Sequence, residues 1–139
     1  MKHLRRIWFL LAVLILAAGP IWAQQKRPLT FDDLMSIERI SEPMVSPDGQ
    51  WVAYTVAKAD VAANRLTRNI WIVSTNGTSE PRQITRGGSD GRPRWSPNSK
   101  RLAFVSSRTG TEQIYLLSLN GGEGDPLTTL STGAGNEQW

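Results

Sequence analysis

The chain has 139 residues, no cysteine and a single histidine, His3, with 16 Lys and Arg against 12 Asp and Glu. Lack of cysteine excludes a disulfide framework and a thiolate metal site. The first 23 residues carry three of the 16 basic residues and no acidic one, which leaves a near-neutral 13 against 12 and removes the main support for a nucleic-acid partner.

Lys2, Arg5 and Arg6 form a basic n-region, followed by the apolar run Ile7–Ala18, the helix breaker Gly19-Pro20 and the small-residue site at Ala23. That is the anatomy of a secretory signal peptide, and 12 apolar residues are too few to span a bilayer comfortably. Cleavage after Ala23 predicts an exported, periplasmic or extracellular protein with no membrane contact afterwards. Because Ile21 stands where a small residue is favoured, an uncleaved membrane anchor is the alternative. His3 leaves with this segment, so no imidazole remains for a zinc site or a general base.

Residues 24–42 read as a polar arm and a short helix. Thr30 can cap the backbone N–H of Asp33, and Asp32 and Asp33 complement the positive end of the helix dipole. Leu34 and Ile37 give an apolar face, and the expected end is near Arg39-Ile40, ahead of Ser41-Glu42-Pro43.

From Pro43 the sequence repeats. Pro43-Met44-Val45-Ser46-Pro47-Asp48-Gly49-Gln50-Trp51-Val52-Ala53-Tyr54 returns 50 positions later as Pro93-Arg94-Trp95-Ser96-Pro97-Asn98-Ser99-Lys100-Arg101-Leu102-Ala103-Phe104. Further on, Asn69–Gly77 answers Gln113–Gly121 at an offset of 44, so the first copy holds a six-residue insertion within Ala57–Arg68. Repeats of about 40 to 50 residues made of strand-length runs are the mark of β-propeller blades. Each copy reads as four strands: one ending at Val45 or Trp95, then Trp51–Val56 or Arg101–Ser106, Asn69–Ser74 or Gln113–Leu119, and Arg82–Thr85 or Pro126–Leu130.

Ser-Pro-Asp-Gly is a type I turn in which Ser caps, Pro presets φ, Asp bonds to its own backbone and Gly relieves the exit. The second copy has Ser99 in place of Gly, which costs about 1 kcal/mol if that position needs φ > 0. In the third strands, Ile70–Val73 and Ile114–Leu117 are apolar at successive positions, whereas a sheet with one wet face would alternate. Both faces are therefore expected to be covered, as in stacked propeller sheets.

Asn136–Trp139 aligns with Gly91–Trp95 as the start of a third copy. The fold expected is all-β: an incomplete propeller over 43–139, with blades at 43–90 and 91–135 and a third beginning at 136–139.

Gly87-Gly88-Ser89-Asp90-Gly91 fits G-x-S-x-G, but that motif is catalytic only between a buried strand and a helix. Here Arg92-Pro93-Arg94-Trp95-Ser96-Pro97 follows, and two prolines oppose a helix, so the stretch reads as a blade linker. Asp32 and Asp33 point about 100° apart on a helix and do not pair as acids. Asn76-Gly77-Thr78 matches a glycosylation sequon, yet turn chemistry alone explains it. The expectation is no catalytic, cofactor-binding or metal site in this chain, and no cofactor.

Leu29-Thr30-Phe31-Asp32-Asp33-Leu34, with Ile40-Ser41-Glu42-Pro43 and the Ser-Pro-Asp-Gly phrase after it, resembles the opening of exported prolyl oligopeptidase family serine peptidases. The acylaminoacyl-peptidase and dipeptidyl-aminopeptidase branch is the nearest in kind. The resemblance covers Leu29–Trp139 and implies that a C-terminal α/β-hydrolase domain of the same parent carries the Ser-Asp-His triad. It implies short peptide substrates, a propeller that gates access to them, and a chain that is inactive alone. Periplasmic TolB-type propellers, which are non-enzymatic interaction proteins, share the repeats and the signal. They place an α/β domain of over 100 residues first, where this chain has about 19 between Ala23 and Pro43. A stand-alone propeller binding through its loops is a third reading.

Overall fold

The computed structural model describes residues 27–120 and 122–139. The signal-peptide reading of Met1–Ala23 lies outside these residues. The described chain opens with helix α1 (Phe31–Ser36) and continues as two four-stranded antiparallel sheets. The first sheet holds β1 (Arg39–Val45), β2 (Trp51–Asp60), β3 (Arg65–Ser74) and β4 (Arg82–Gln83). The second holds β5 (Asp90–Trp95), β6 (Arg101–Ser106), β7 (Gln113–Ser118) and β8 (Asp125–Pro126). Both are meanders in sequence order, which makes them two consecutive propeller blades, each complete in its own stretch of chain.

Helix α1 has the expected capping box. Asp33 N donates to Thr30 Oγ1 at 3.2 Å, Thr30 N donates back to Asp33 Oδ2 at 2.9 Å, and Arg27 clamps the same carboxylate. The helix stops at Ser36, earlier than its apolar periodicity suggests. Pairing to β2 explains this: Arg39, Ile40 and Ser41 are opposite Ala57, Val56 and Thr55, so the chain must be extended by then. The first strand thus begins ahead of Pro43. The six-residue insertion is built as a longer β2–β3 hairpin, paired as far as Asp60↔Arg65, and not as a loop. The fourth strands are shorter than expected, because after two paired residues the side chains of Thr85 and Thr128 take over and accept from Ile70 N and Ile114 N at 2.9 Å each.

The two Ser-Pro turns are superimposable in chemistry. Gly49 N donates to Ser46 O at 2.8 Å and Ser99 N to Ser96 O at 2.9 Å. Gln50 N donates to Asp48 Oδ1, and Lys100 N to Asn98 Oδ1, both at 3.1 Å. The hydroxyl of Ser46 donates to the Asp48 carboxylate, which with Gln50 N holds that group below the usual carboxylate range. Gly49 has φ +70° and Ser99 has φ +58°, so the serine does sit in the left-handed region. It gains something in return: Asp48 N, in the other blade, donates to Ser99 Oγ at 3.0 Å.

β5 lies against β1, β2 and β3, which puts one face of each sheet in contact. Ala53, Ile72, Trp95 and Leu102 form one buried cluster, and Ile70, Phe104, Tyr115 and Leu117 another, with Ile84 packed on both. Phe104 and Tyr115 stack with centroids 5.6 Å apart. The alternate residues of the third strands, Trp71 and Val73 in one blade and Ile114 and Leu116 in the other, are only half-buried. Two features recur from blade to blade. Trp95 Nε1 donates to Met44 O at 2.9 Å, and Trp139 Nε1 donates to Arg94 O at 3.0 Å. Glu42, Arg92 and Asn136 all have positive φ (55°, 54° and 59°). Asn136 and Trp139 thus repeat the positive φ and the indole hook of the two blades, without being paired as a strand.

The linker between blades is locked by an ion pair that the sequence did not advertise. Asp90 is fully buried and accepts from Arg108 Nη2 at 2.9 Å and from Gly87 N at 2.9 Å. The Arg108 guanidinium lies 4.7 Å from the Tyr115 ring centroid and 5.6 Å from that of Phe104. A Cβ on Gly87 would sit 2.6 Å from Asp90 Oδ1 and 2.8 Å from Arg108 Nε, so a side chain there is excluded by the pair itself.

Three outcomes are expected. Arg108→Ala leaves Asp90 buried without its counter-charge and should destabilise the full-length parent by about 3–5 kcal/mol in urea unfolding, whereas Asp90→Leu with Arg108→Met should recover much of that loss. Asp48 has a lowered folded-state pKa, so its contribution is present above the unfolded carboxylate range and is lost as pH falls through the folded value. Amide protection at Gln50, which donates to the Asp48 carboxylate, should fall in acid while that at Lys100, which donates to the neutral Asn98 amide, does not, and Asp48→Asn should abolish the difference. Residues 24–139 expressed alone expose the half-buried faces of both sheets, each large apolar side chain forgoing about 1.5–3 kcal/mol of burial. Light scattering with thermal unfolding should detect aggregation or oligomers, and a monodisperse monomer with one sharp reversible transition would contradict this.

Candidate functional site

The inner strands β1 and β5 are each broken by a bulge, between Ser41 and Met44 and between Gly91 and Arg94. A bulge turns side chains off the ladder and bends the strand, and here it carries Glu42 and Arg92 in the left-handed region. The Glu42 carboxylate spans the two blades: its Oε2 accepts from Arg92 N at 2.8 Å and from Thr55 Oγ1 at 3.0 Å. Beside them opens a recess of about 230 Å³, whose charged lining is Glu42, Arg68, Asp90, Arg92 and Glu112, with Ser89 at its wall. Arg92 Nη1 is 3.7 Å from Glu112 Oε2, and Arg68 is exposed.

Two guanidinium groups beside the Glu42 and Glu112 carboxylates, with Asp90 already paired to Arg108, suit a polar or zwitterionic guest held by hydrogen bonds. They do not form an acid–base pair around a nucleophile. Ser89 follows the bend at Gly87-Gly88 and makes a single parallel bridge to Arg68, with Ser107 N donating to its carbonyl at 3.4 Å. No helix flanks it, so the strained strand-to-helix turn that activates such a serine is not built. The neighbouring Asp90 carboxylate is committed to Arg108 and Gly87 N. Among the described residues no group of three or more His, Cys, Asp or Glu side chains is placed to hold a metal ion. Asp32 and Asp33 stay at the start of α1, remote in role from the recess, Asp33 being tied to Thr30 and Arg27.

Sequence reasoning missed the recess. Glu42 and Arg92 occupy the same repeat position 50 residues apart, which aligned them without revealing that one bonds the backbone of the other. The replacement of glutamate by arginine at that position was the available signal.

No protein-family model matches the chain. It is 37% identical over 117 residues to the uncharacterized peptidase YuxL of Bacillus subtilis, covering 82% of this chain and 18% of that protein. It is 33% identical over 86 residues to dipeptidyl-peptidase 5 of Porphyromonas gingivalis, covering 62% of this chain and 13% of the relative. A shorter stretch of 55 residues, 39% of this chain, is 44% identical to the Tol-Pal system protein TolB of Bordetella pertussis and covers 13% of it. Among solved structures, the AtxE2 isopeptidase superimposes with a TM-score of 0.72 at 21% identity, over 83% of this chain and 22% of the isopeptidase. The β-propeller domain of the trilobed protease from Pyrococcus furiosus does so with a TM-score of 0.54 at 24% identity, over 66% of this chain and 27% of that domain. The chain thus spans less than a fifth of the curated relatives it matches. In sequence and in fold it matches the propeller portion of prolyl oligopeptidase family peptidases.

Proposed function

We propose that this chain is the opening part of the propeller of an exported serine peptidase that acts on short peptides, the propeller gating access to an α/β-hydrolase domain carried C-terminally by the same parent. The observation behind this reading is the match, over most of the described chain, to a protein named as a peptidase of which it spans under a fifth. The remaining length of such relatives is ample for a hydrolase domain. The chemistry points the same way, since the chain's single histidine is His3, in the leader, and a Ser-Asp-His triad has to be assembled elsewhere.

In this role the blades exclude folded proteins by sheer width, and the charged recess of Glu42, Arg68, Arg92 and Glu112 offers hydrogen bonds to a peptide passing the inner strands. No cofactor, nucleic acid or membrane contact is part of the reading, and export follows from Met1–Ala23. A non-enzymatic, TolB-like interaction protein is the second reading, favoured by the 55-residue stretch of higher identity. The short spacing between Ala23 and Pro43 and the Leu29–Asp33 phrase weigh against it.

The full-length parent decides between them. It should cleave short peptidyl reporters, with turnover falling as the substrate lengthens. Replacing the serine of a G-x-S-x-G motif in its C-terminal domain by alanine should abolish that turnover, while Ser89→Ala does not abolish it. The secreted form should begin at Gln24 by N-terminal sequencing. A reading frame that stops after the last blade and shows no turnover would give the interaction protein preference, and an intact Met1 in the membrane fraction would replace export by anchoring.

A further inference from the structure

The turn between β3 and β4 carries an exposed Asn76-Gly77-Thr78 whose hydrogen bonds are arranged around one carbonyl. Asn76 Oδ1 accepts from Thr78 N at 3.0 Å and from Thr78 Oγ1 at 2.7 Å. The ring closed by the first of these bonds contains the Gly77 nitrogen, so the Asn76 side chain curls back along the main chain toward Thr78. Gly77 has φ +70°, a Cβ there would meet nothing within 4 Å, and its own N–H makes only a long 3.4 Å bond to Ser74 O. The nitrogen is therefore loosely held, and nothing crowds the side-chain position of the glycine that carries it.

We propose that Asn76 is a self-modification site at which the Gly77 backbone nitrogen displaces ammonia from the Asn76 side chain. The nitrogen loses its proton to solvent base and its electron pair attacks Asn76 Cγ, forming a C–N bond. Negative charge develops on Oδ1, where the two Thr78 donors already point, an arrangement of the oxyanion-stabilising kind. The side-chain nitrogen takes up a proton and leaves as ammonia, giving a five-membered succinimide. Water then opens either carbonyl, so the net change is amide plus water to carboxylate plus ammonium, the released ammonia taking up the acid's proton, as aspartate or isoaspartate.

Either product adds a negative charge, and the isoaspartyl form routes the main chain through the former side chain and lengthens it by one atom. The turn so altered is held by Ser79 N and Oγ donating to Ser74 Oγ at 3.2 and 2.9 Å. Beyond it, β4 is paired only through Trp71↔Gln83 and Ile72↔Arg82. The modification thus places a new charge on the outer edge of the first blade, next to a strand of two residues.

The parent protein, incubated in mildly alkaline buffer and digested with trypsin, reports this in the single peptide Asn69–Arg82. Mass spectrometry should show Asn76 converted, with isoaspartyl and aspartyl products separated by chromatography and formation slower in mildly acidic buffer. Thr78→Val, which keeps the shape and the backbone donor but removes the hydroxyl, should slow conversion several-fold, and Gly77→Ala should slow it further. Equal rates for the parent and Thr78→Val, or an Asn76 that stays an amide in the folded protein while the excised peptide converts, would overturn the proposal.

Discussion

Two sheets with apolar residues on both faces cannot each stand in water, and the rest of this structure follows from that constraint. Ile70 and Ile72 point into the gap between blades and meet Phe104, Tyr115, Leu102 and Leu117, which leave almost no exposed surface there. Stacking removes that area from water, but apolar contact is non-directional, so it is strong without by itself fixing the angle or height of one blade on the next. Registration has to come from elsewhere.

It comes from polar hooks at defined heights along the inner strands. The Glu42 carboxylate takes the Arg92 N–H, the Trp95 indole reaches the Met44 carbonyl, and Ser99 receives the Asp48 N–H. Each is a single bond worth about 0.5–1.5 kcal/mol net, small beside the burial, yet each is directional and satisfied at one stacking geometry alone. The Asp90–Arg108 pair adds a fourth constraint by tying the linker to the β6–β7 turn and to the aromatic floor under it. The Trp139 indole repeating the hook on Arg94 shows that the device belongs to the repeat and not to one interface.

These same hooks create the polar recess. A bulge that frees Glu42 to cross the gap also opens the ends of β1 and β5, and the space left is lined by charged side chains that the apolar interior cannot accept. The candidate site is thus a by-product of blade registration, placed at the bulges of the inner strands.

Much of the architecture was legible in the chain. The fifty-residue repeat, the Ser-Pro turns and the continuous apolarity of the third strands specify stacked four-stranded sheets through local rules alone: turn stereochemistry, side-chain alternation and the insolubility of apolar surface. The capping of α1 by Thr30 and Asp33 was readable for the same reason, since its atoms lie within three residues of one another. Tertiary structure decided the rest. Helix α1 ends early because pairing with Ala57 and Val56 claims the following residues, and the insertion extends a hairpin because Asp60 and Arg65 come into register. The bond from Arg92 N to Glu42, the burial of Asp90 against Arg108 and the use of Ser99 as an acceptor join residues 50, 18 and 51 positions apart. Such contacts depend on how one sheet is laid on another, a long-range geometry that no local pattern of residues encodes.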